Sequence, residues 1–287
     1  MAYETLDRRE LLELSGSLLD IANGGIRLAK GLVSHLPPPS SPAGLALADP
    51  LSTGADGGII RRSHEVMVFA ALAGWDHAKA LSTLLRGVFP ATVSLASVAR
   101  GGIEAFARVY WLLEPATAAE KVQRYLSLSI ADLKFHIKLS ASMPLKTLGG
   151  NDVDATARRD VLLGQLHDLG LPQLDARPSA LATGFLDAVF GGGAKKYSQL
   201  SGVAHAETLS VHSFVEIDDS PEAASWVTLV QPRTVPIEWV GDLVVGGAKL
   251  GNWLAQEFHP PKPEWELWES CRGRAVDRFR AIDLTRD

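Results

Sequence analysis

The stretch SVARGGIEAFARVYWLLEP (97–115) is apolar or glycine on nearly every side, apart from Arg100, Glu104 and Arg108, which recur every four residues. Residues four apart stack on one face of a helix, so the spacing predicts a core-type helix with one polar column. A second stretch, KKYSQLSGVAHAETLSVH (195–212), repeats the arrangement with Tyr197, Ser201 and His205, extended to Thr208 and His212 if the helix persists. Leu200, Val203 and Leu209 give that helix a core face. Buried polar groups need partners. The two columns are therefore expected to face each other or a shared cleft, with His205 meeting Glu104 or Arg100.

Outward from these two helices the chain reads as helix nearly throughout. Residues 7–35 show apolar spacing of three and four, with Leu12, Ile21, Ile26 and Leu32 near one side and Asn23-Gly24-Gly25 as a place for a break. Residues 36–60 hold five prolines and read as a long loop. A helix follows over 63–86 with Asp76 and His77 adjacent, and Pro90 suits the first turn of the next. Val122, Leu126, Ile130, Leu133 and Ile137 mark a core face over 116–141. Asn151 or Asp152 is expected to cap a fifth helix, stopped by Gly170 and Pro172, and a short one over 179–190 ends at Gly191-Gly192-Gly193.

Only 213–231 changes texture, with two β-leaning runs around Asp218-Asp219-Ser220-Pro221, the pattern of a small hairpin. Helices over about 235–258 and 264–283 close the chain. In the last, Glu264, Glu266 and Glu269 precede Arg272, Arg274, Arg278 and Arg280, the order the helix dipole favours. The tryptophans at 239, 253, 265 and 268 fall at helical spacings and read as packing residues. The expectation is an all-α protein, one multi-helix bundle of eight or nine helices with a small β-hairpin insertion. Its parts are an N-terminal helix (1–35), a Pro/Gly-rich loop (36–61), a helical core with the polar cluster (62–212), the hairpin (213–231) and C-terminal helices (232–287).

Composition limits the function classes. With 287 residues, 46% hydrophobic and 21% charged, the chain can bury a sizeable core. A formal net charge of −5 offers no global attraction for nucleic acid. Cys271 is the single cysteine, so neither an intrachain disulfide nor a cysteine-rich zinc cage is expected. The N-terminal residues lack a signal-peptide pattern, and the nearly uncharged run from Gly87 to Ala99 is too short to span a bilayer. A cytoplasmic protein with no membrane contact is the expectation. Neither HExxH nor the ExxH pairs of di-iron bundles occur, and His205 with His212 is a two-ligand hint at most, so no metal and no cofactor are expected. There is no GxSxG elbow and no Walker motif, while Gly191 to Lys196 precedes a helix and could cradle an anion.

The candidate site comprises Arg100, Glu104, Tyr197, Ser201 and His205, with Asp76 or His77 contributing. Neighbours on a helix diverge by about 100°, so at most one of that last pair joins a given site. In a functional site, His205 moves a proton, Glu104 orients Arg100 or His205, and Tyr197 and Ser201 place substrate or water. Arg100 then binds an anionic group. A purely structural polar network is the alternative.

The WDHAKAL segment (75–81), the Arg-xxx-Glu helix running into YWLLEP (110–115) and YSQLSGVAH (197–205) are similar to a loose group of actinobacterial, all-helical proteins without an assigned function. The likeness spans roughly residues 62–212. More distantly, the YxxxSxxxH helix resembles the C-terminal helices of HEPN-like proteins, many of them RNA-cleaving. Those carry an Arg four to six residues before the His; here the nearest upstream Arg is Arg177. Two function classes follow: binding or acid–base chemistry on a small polar or anionic molecule, or a HEPN-like interaction or defence protein. The second would act on RNA and form a homodimer.

Overall fold

The computed structural model describes residues 6–52, 58–87, 92–139, 145–146, 152–207, 210, 214–217, 227–229 and 232–282. Among them are ten α-helices: α1 Arg8–Ser34, α2 Pro42–Ala48, α3 Ile59–Leu85, α4 Thr92–Leu113, α5 Ala118–Leu139, α6 Ala155–Asp168, α7 Pro178–Phe190, α8 Gly193–Ala204, α9 Thr234–Phe258 and α10 Lys262–Arg280. The fold is an all-α bundle. Two short antiparallel pairs accompany it. Strand β1 (Leu145–Lys146) pairs with β2 (Asp152–Val153). Strand β3 (Val215–Ile217) pairs with β4 (Val227–Leu229) in the register Val215 to Leu229, Glu216 to Thr228 and Ile217 to Val227. The second pair is the hairpin expected near 213–231, though its Asp-Asp-Ser-Pro turn lies outside the described residues, as do Pro90 and Asn151. No helix among the described residues is long and apolar enough to cross a membrane.

Local chemistry explains the helix ends. Asp7 accepts from the Glu10 backbone N–H at 2.8 Å while the Glu10 carboxylate accepts from the Asp7 N–H at 3.1 Å, a capping box that starts α1. Helix α6 is capped by Asp154, whose Oδ1 accepts from Thr156 and Ala157. Asp152, expected to cap it, is in β2 instead. Within the expected loop, Ser41 accepts from the Gly44 N–H and Pro42 opens α2. A Ser-Pro start followed by small residues is itself a helix signal, so the helix count rises to ten.

Helix α1 does not break at Asn23-Gly24-Gly25. Its glycines are contact points. A Cβ on Gly25 would lie 2.1 Å from Trp75, and one on Gly251 of α9 would lie 2.1 Å from Trp268. The Trp75 and Trp268 rings are both fully buried, 5.9 Å apart, so each indole lies flat against a backbone that only glycine leaves open. The buried stripe of α1 is Leu14, Leu18, Ile21 and Leu28, with Leu32 at its edge; Ile26 is half-buried and Leu12 is exposed. Trp239 is buried, whereas Trp253 and Trp265 are half-buried against the core. Helix α3 lies between α1 and α4, and α4 in turn carries α7, α8 and α9.

Two buried titratable groups oppose one another. Burial, helped by the nearby Lys121 charge, pushes His64 down to about 4. Burial pushes Asp242 up to about 6, more than its partner Lys196 returns. Native His64 binds fewer protons than the unfolded chain between pH 4 and 6.5, so its contribution is lost as pH falls through that window. Native Asp242 keeps its proton beyond the unfolded value of 3.8, so its contribution is lost as pH rises towards 6. Each amounts to roughly 3 kcal/mol, and they offset.

Two predictions follow from this packing. Gly25→Ala should destabilise the protein by about 2 kcal/mol or more, while Gly184→Ala, where a Cβ meets nothing within 4 Å, should stabilise by about 0.5–1 kcal/mol. Equal effects in urea melts would refute the ring-on-glycine account. Relative to the parent, His64→Leu should lose stability as pH rises from 4.5 to 6.5 and Asp242→Asn should gain it; parallel pH profiles for all three proteins would contradict the opposed pair.

Candidate functional site

The two polar columns meet, but only in part. Arg100 Nε donates to Glu104 Oε1 at 2.8 Å, and the Tyr197 hydroxyl donates to the same oxygen at 2.6 Å. Arg100 Nη1 donates to His205 Nε2, and the guanidinium carbon lies 5.7 Å from the Tyr197 ring centroid. Two residues of α4 thus hold one residue of α8 and the residue that ends it. Arg108 turns elsewhere: its Nη1 and Nη2 bind the two oxygens of Asp132 on α5, both at 2.8 Å. Asp132 carries no periodic signal that could have paired it with Arg108.

The cluster lies at a rim rather than in the interior. Tyr197 is buried, but Arg100 and Glu104 remain 22% and 25% exposed and His205 is exposed. The physical reason is the end of α8. It stops at Ala204 because Ala206 takes φ 52°, with the Ala206 N–H on Val203 O and the Glu207 N–H on Gly202 O. This double-bonded cap usually has glycine at the left-handed position, so no glycine advertised it. Helix α8 therefore ends with His205 as its cap; Thr208, Leu209 and His212, the expected extension of the column, lie outside the described residues. Ser201 is half-buried and its hydroxyl makes no bond to Arg100, Glu104, Tyr197 or His205.

Asp76 is exposed and takes no part in the cluster. His77, one position on, is half-buried with its ring against Gly101: a Cβ there would lie 2.7 Å from His77 Cε1. The bare backbone of Gly101 is thus approached by an imidazole. Beside it runs a groove of about 430 Å3 between α3 and α4. Val66, Phe69, Ala70 and Ala73 form its α3 wall, and Gly101, Glu104, Ala105 and Arg108 its α4 wall. Phe69 is 64% exposed. The apolar α3 wall was not anticipated, because an exposed phenylalanine looks like core in a one-dimensional pattern.

Electrostatics set the protonation states. Burial, reinforced by the Glu104 hydrogen bond and charge, pushes the Tyr197 phenol up to about 12, so it stays a donor at neutral pH. For Arg100, burial works against the charge, but the Glu104 bond and charge outweigh it and its pKa stands above the ordinary value. The Asp132 bond likewise raises Arg108. A guanidinium has only donors, so His205 Nε2 must accept and the ring proton sits on Nδ1. Both Glu104 bonds fall on Oε1, and no described residue donates to Oε2. The helix start at Gly191 to Lys196 is filled from within. The Gly193 N–H donates to Asp187 Oδ1, and Lys196 binds Glu238 and Asp242.

Among the described residues no group of three or more His, Cys, Asp or Glu side chains is placed to hold a metal ion. No protein-family model, curated protein or solved structure matches this chain.

Glu104 links two donors, so Glu104→Gln and Tyr197→Phe should each cost on the order of 1 kcal/mol and the double variant less than their sum. Additive losses in a double-mutant cycle would show that the two side chains do not share a bond. Ala206→Gly should stabilise by about 1 kcal/mol by relieving the left-handed alanine; a loss of stability would contradict the cap.

Proposed function

We propose that the protein binds a small molecule in the α3–α4 groove, with the apolar part of the ligand on Val66, Phe69, Ala70 and Ala73 and its polar head at Glu104. The observation that carries this reading is the free Oε2 of a carboxylate whose other oxygen already takes two bonds beside an apolar channel. Ligand sites commonly pair an apolar wall with a few fixed polar groups. Arg100 and Tyr197 serve to hold Glu104 still, which lowers the ordering cost on binding. Because Glu104 presents an acceptor and Arg108, the cation on the groove wall, directs both Nη1 and Nη2 to Asp132, the head group best suited is a donor, a hydroxyl or ammonium, rather than an anion. His77 supplies another polar group, from the α3 side of the groove. Binding accounts for these features better than acid–base catalysis, since His205 Nε2 is committed to Arg100 and the Tyr197 proton is held firmly.

The test uses three four-carbon probes: butylammonium, butanol and butyrate. Methyl resonances of Ala70, Ala73 and Ala105 should shift saturably with the first two and not with butyrate, and Ala73→Phe, which fills the groove, should abolish the response. A preference for butyrate, or no response at those methyls to any probe, would defeat the proposal.

A further inference from the structure

A separate cavity of about 330 Å3 lies where the C-terminal end of α4 meets α9 and α2. Its wall consists of Pro42, Tyr110, Leu113, Glu114, Trp253, Gln256 and Glu257. Two aromatic rings and two carboxylates face a space with no lysine or arginine on its wall. Tyr110 and Trp253 both line the cavity, their centroids 5.3 Å apart with the rings tilted by 40°, and Tyr110 packs on Phe185 as well at 6.0 Å.

The cations that pair with these carboxylates approach from outside that wall. Lys121 is buried and binds Glu257 Oε1. Arg124 binds Glu114 Oε2 while stacking over Trp111 at 4.2 Å. Glu114 Oε1 accepts from the Tyr110 hydroxyl at 3.2 Å. Glu257 is only 11% exposed, and no described residue donates to its Oε2. The cavity therefore offers a fixed, nearly buried acceptor beside two aromatic side chains. That combination is the chemistry of ammonium recognition: indole and phenol faces attract a cation, most strongly where water is excluded.

We infer that this cavity binds a small organic ammonium ion, its charge set against Trp253 and Tyr110 and next to Glu257. A volume of about 330 Å3 suits a head group of a few heavy atoms. Tyr110 remains a neutral phenol at working pH, because burial first and Glu114 second hold its proton. The inference is independent of the groove between α3 and α4, which has no aromatic pair on its wall and shares no residue with this cavity.

The experiment titrates the intact protein with tetramethylammonium chloride, holding ionic strength constant with sodium chloride, and follows the Trp253 indole N–H and the Leu113 amide by NMR. Tert-butanol serves as an uncharged probe of similar shape. Saturable shifts with tetramethylammonium and none with tert-butanol are expected. Gln256→Lys, at an exposed position, tethers an ammonium at the cavity wall and should weaken binding by about tenfold or more. Trp253→Leu, read at Leu113, should do the same. Equal shifts with tert-butanol, no saturable shift in the parent protein, or undiminished binding in Gln256→Lys would each overturn the inference.

Discussion

The fold depends on large rings seated against bare backbone. Trp75 from α3 and Trp268 from α10 lie on the glycines of α1 and α9, and Phe106 from α4 closes on Gly74 of α3. The rings touch one another as well, Trp75 edge-on to Phe106 and tilted against Trp268. Each contact brings two helices closer than ordinary side chains allow, and together they fix the spacing of α1, α3, α4, α9 and α10. Close packing of this kind leaves little freedom for register shifts. It also determines the outward geometry: with Phe106 on Gly74 and His77 on Gly101, α3 and α4 run side by side and leave a shallow groove on their solvent side.

The polar cluster follows from that arrangement. With the apolar face of α4 committed to the core, Arg100, Glu104 and Arg108 are left along one side, where α8 covers the first two and α5 reaches the third. Glu104 is the pivot. Its Oε1 joins α4 to α8, no described residue donates to its Oε2, and the side chain lines the groove. A carboxylate that is held rather than searching is a better receptor than a free surface glutamate, because less side-chain entropy is lost on binding. The same pattern recurs at Glu257, held by Lys121 beside a pair of rings.

The sequence carried the bundle and the meeting of Arg100 and Glu104 with Tyr197 and His205, since both rest on helical periodicity and on the need of polar groups for partners. Two features escaped it for physical reasons. The end of α8 is written in backbone geometry, with alanine in a conformation that usually calls for glycine, so periodicity alone places no stop after His205 and reads the site as interior. The Arg108 to Asp132 pair joins helices whose relative rotation no spacing encodes. A third feature is legible in the sequence, namely the Ser41-Pro42 start of α2 within a proline-rich run. The glycines of α1 were visible too, but only the opposing tryptophans reveal them as contacts rather than breaks.

The central claim is that a fixed polar link from α4 to the end of α8 holds Glu104 at the groove. Its most direct test is the tautomer of His205, read from the nitrogen chemical shifts and two-bond couplings of the ring at neutral pH. The account predicts a proton on Nδ1 and a bare, accepting Nε2, with that preference lost in Arg100→Ala. A ring protonated at Nε2, or a mixture of tautomers unchanged by removing Arg100, would contradict it.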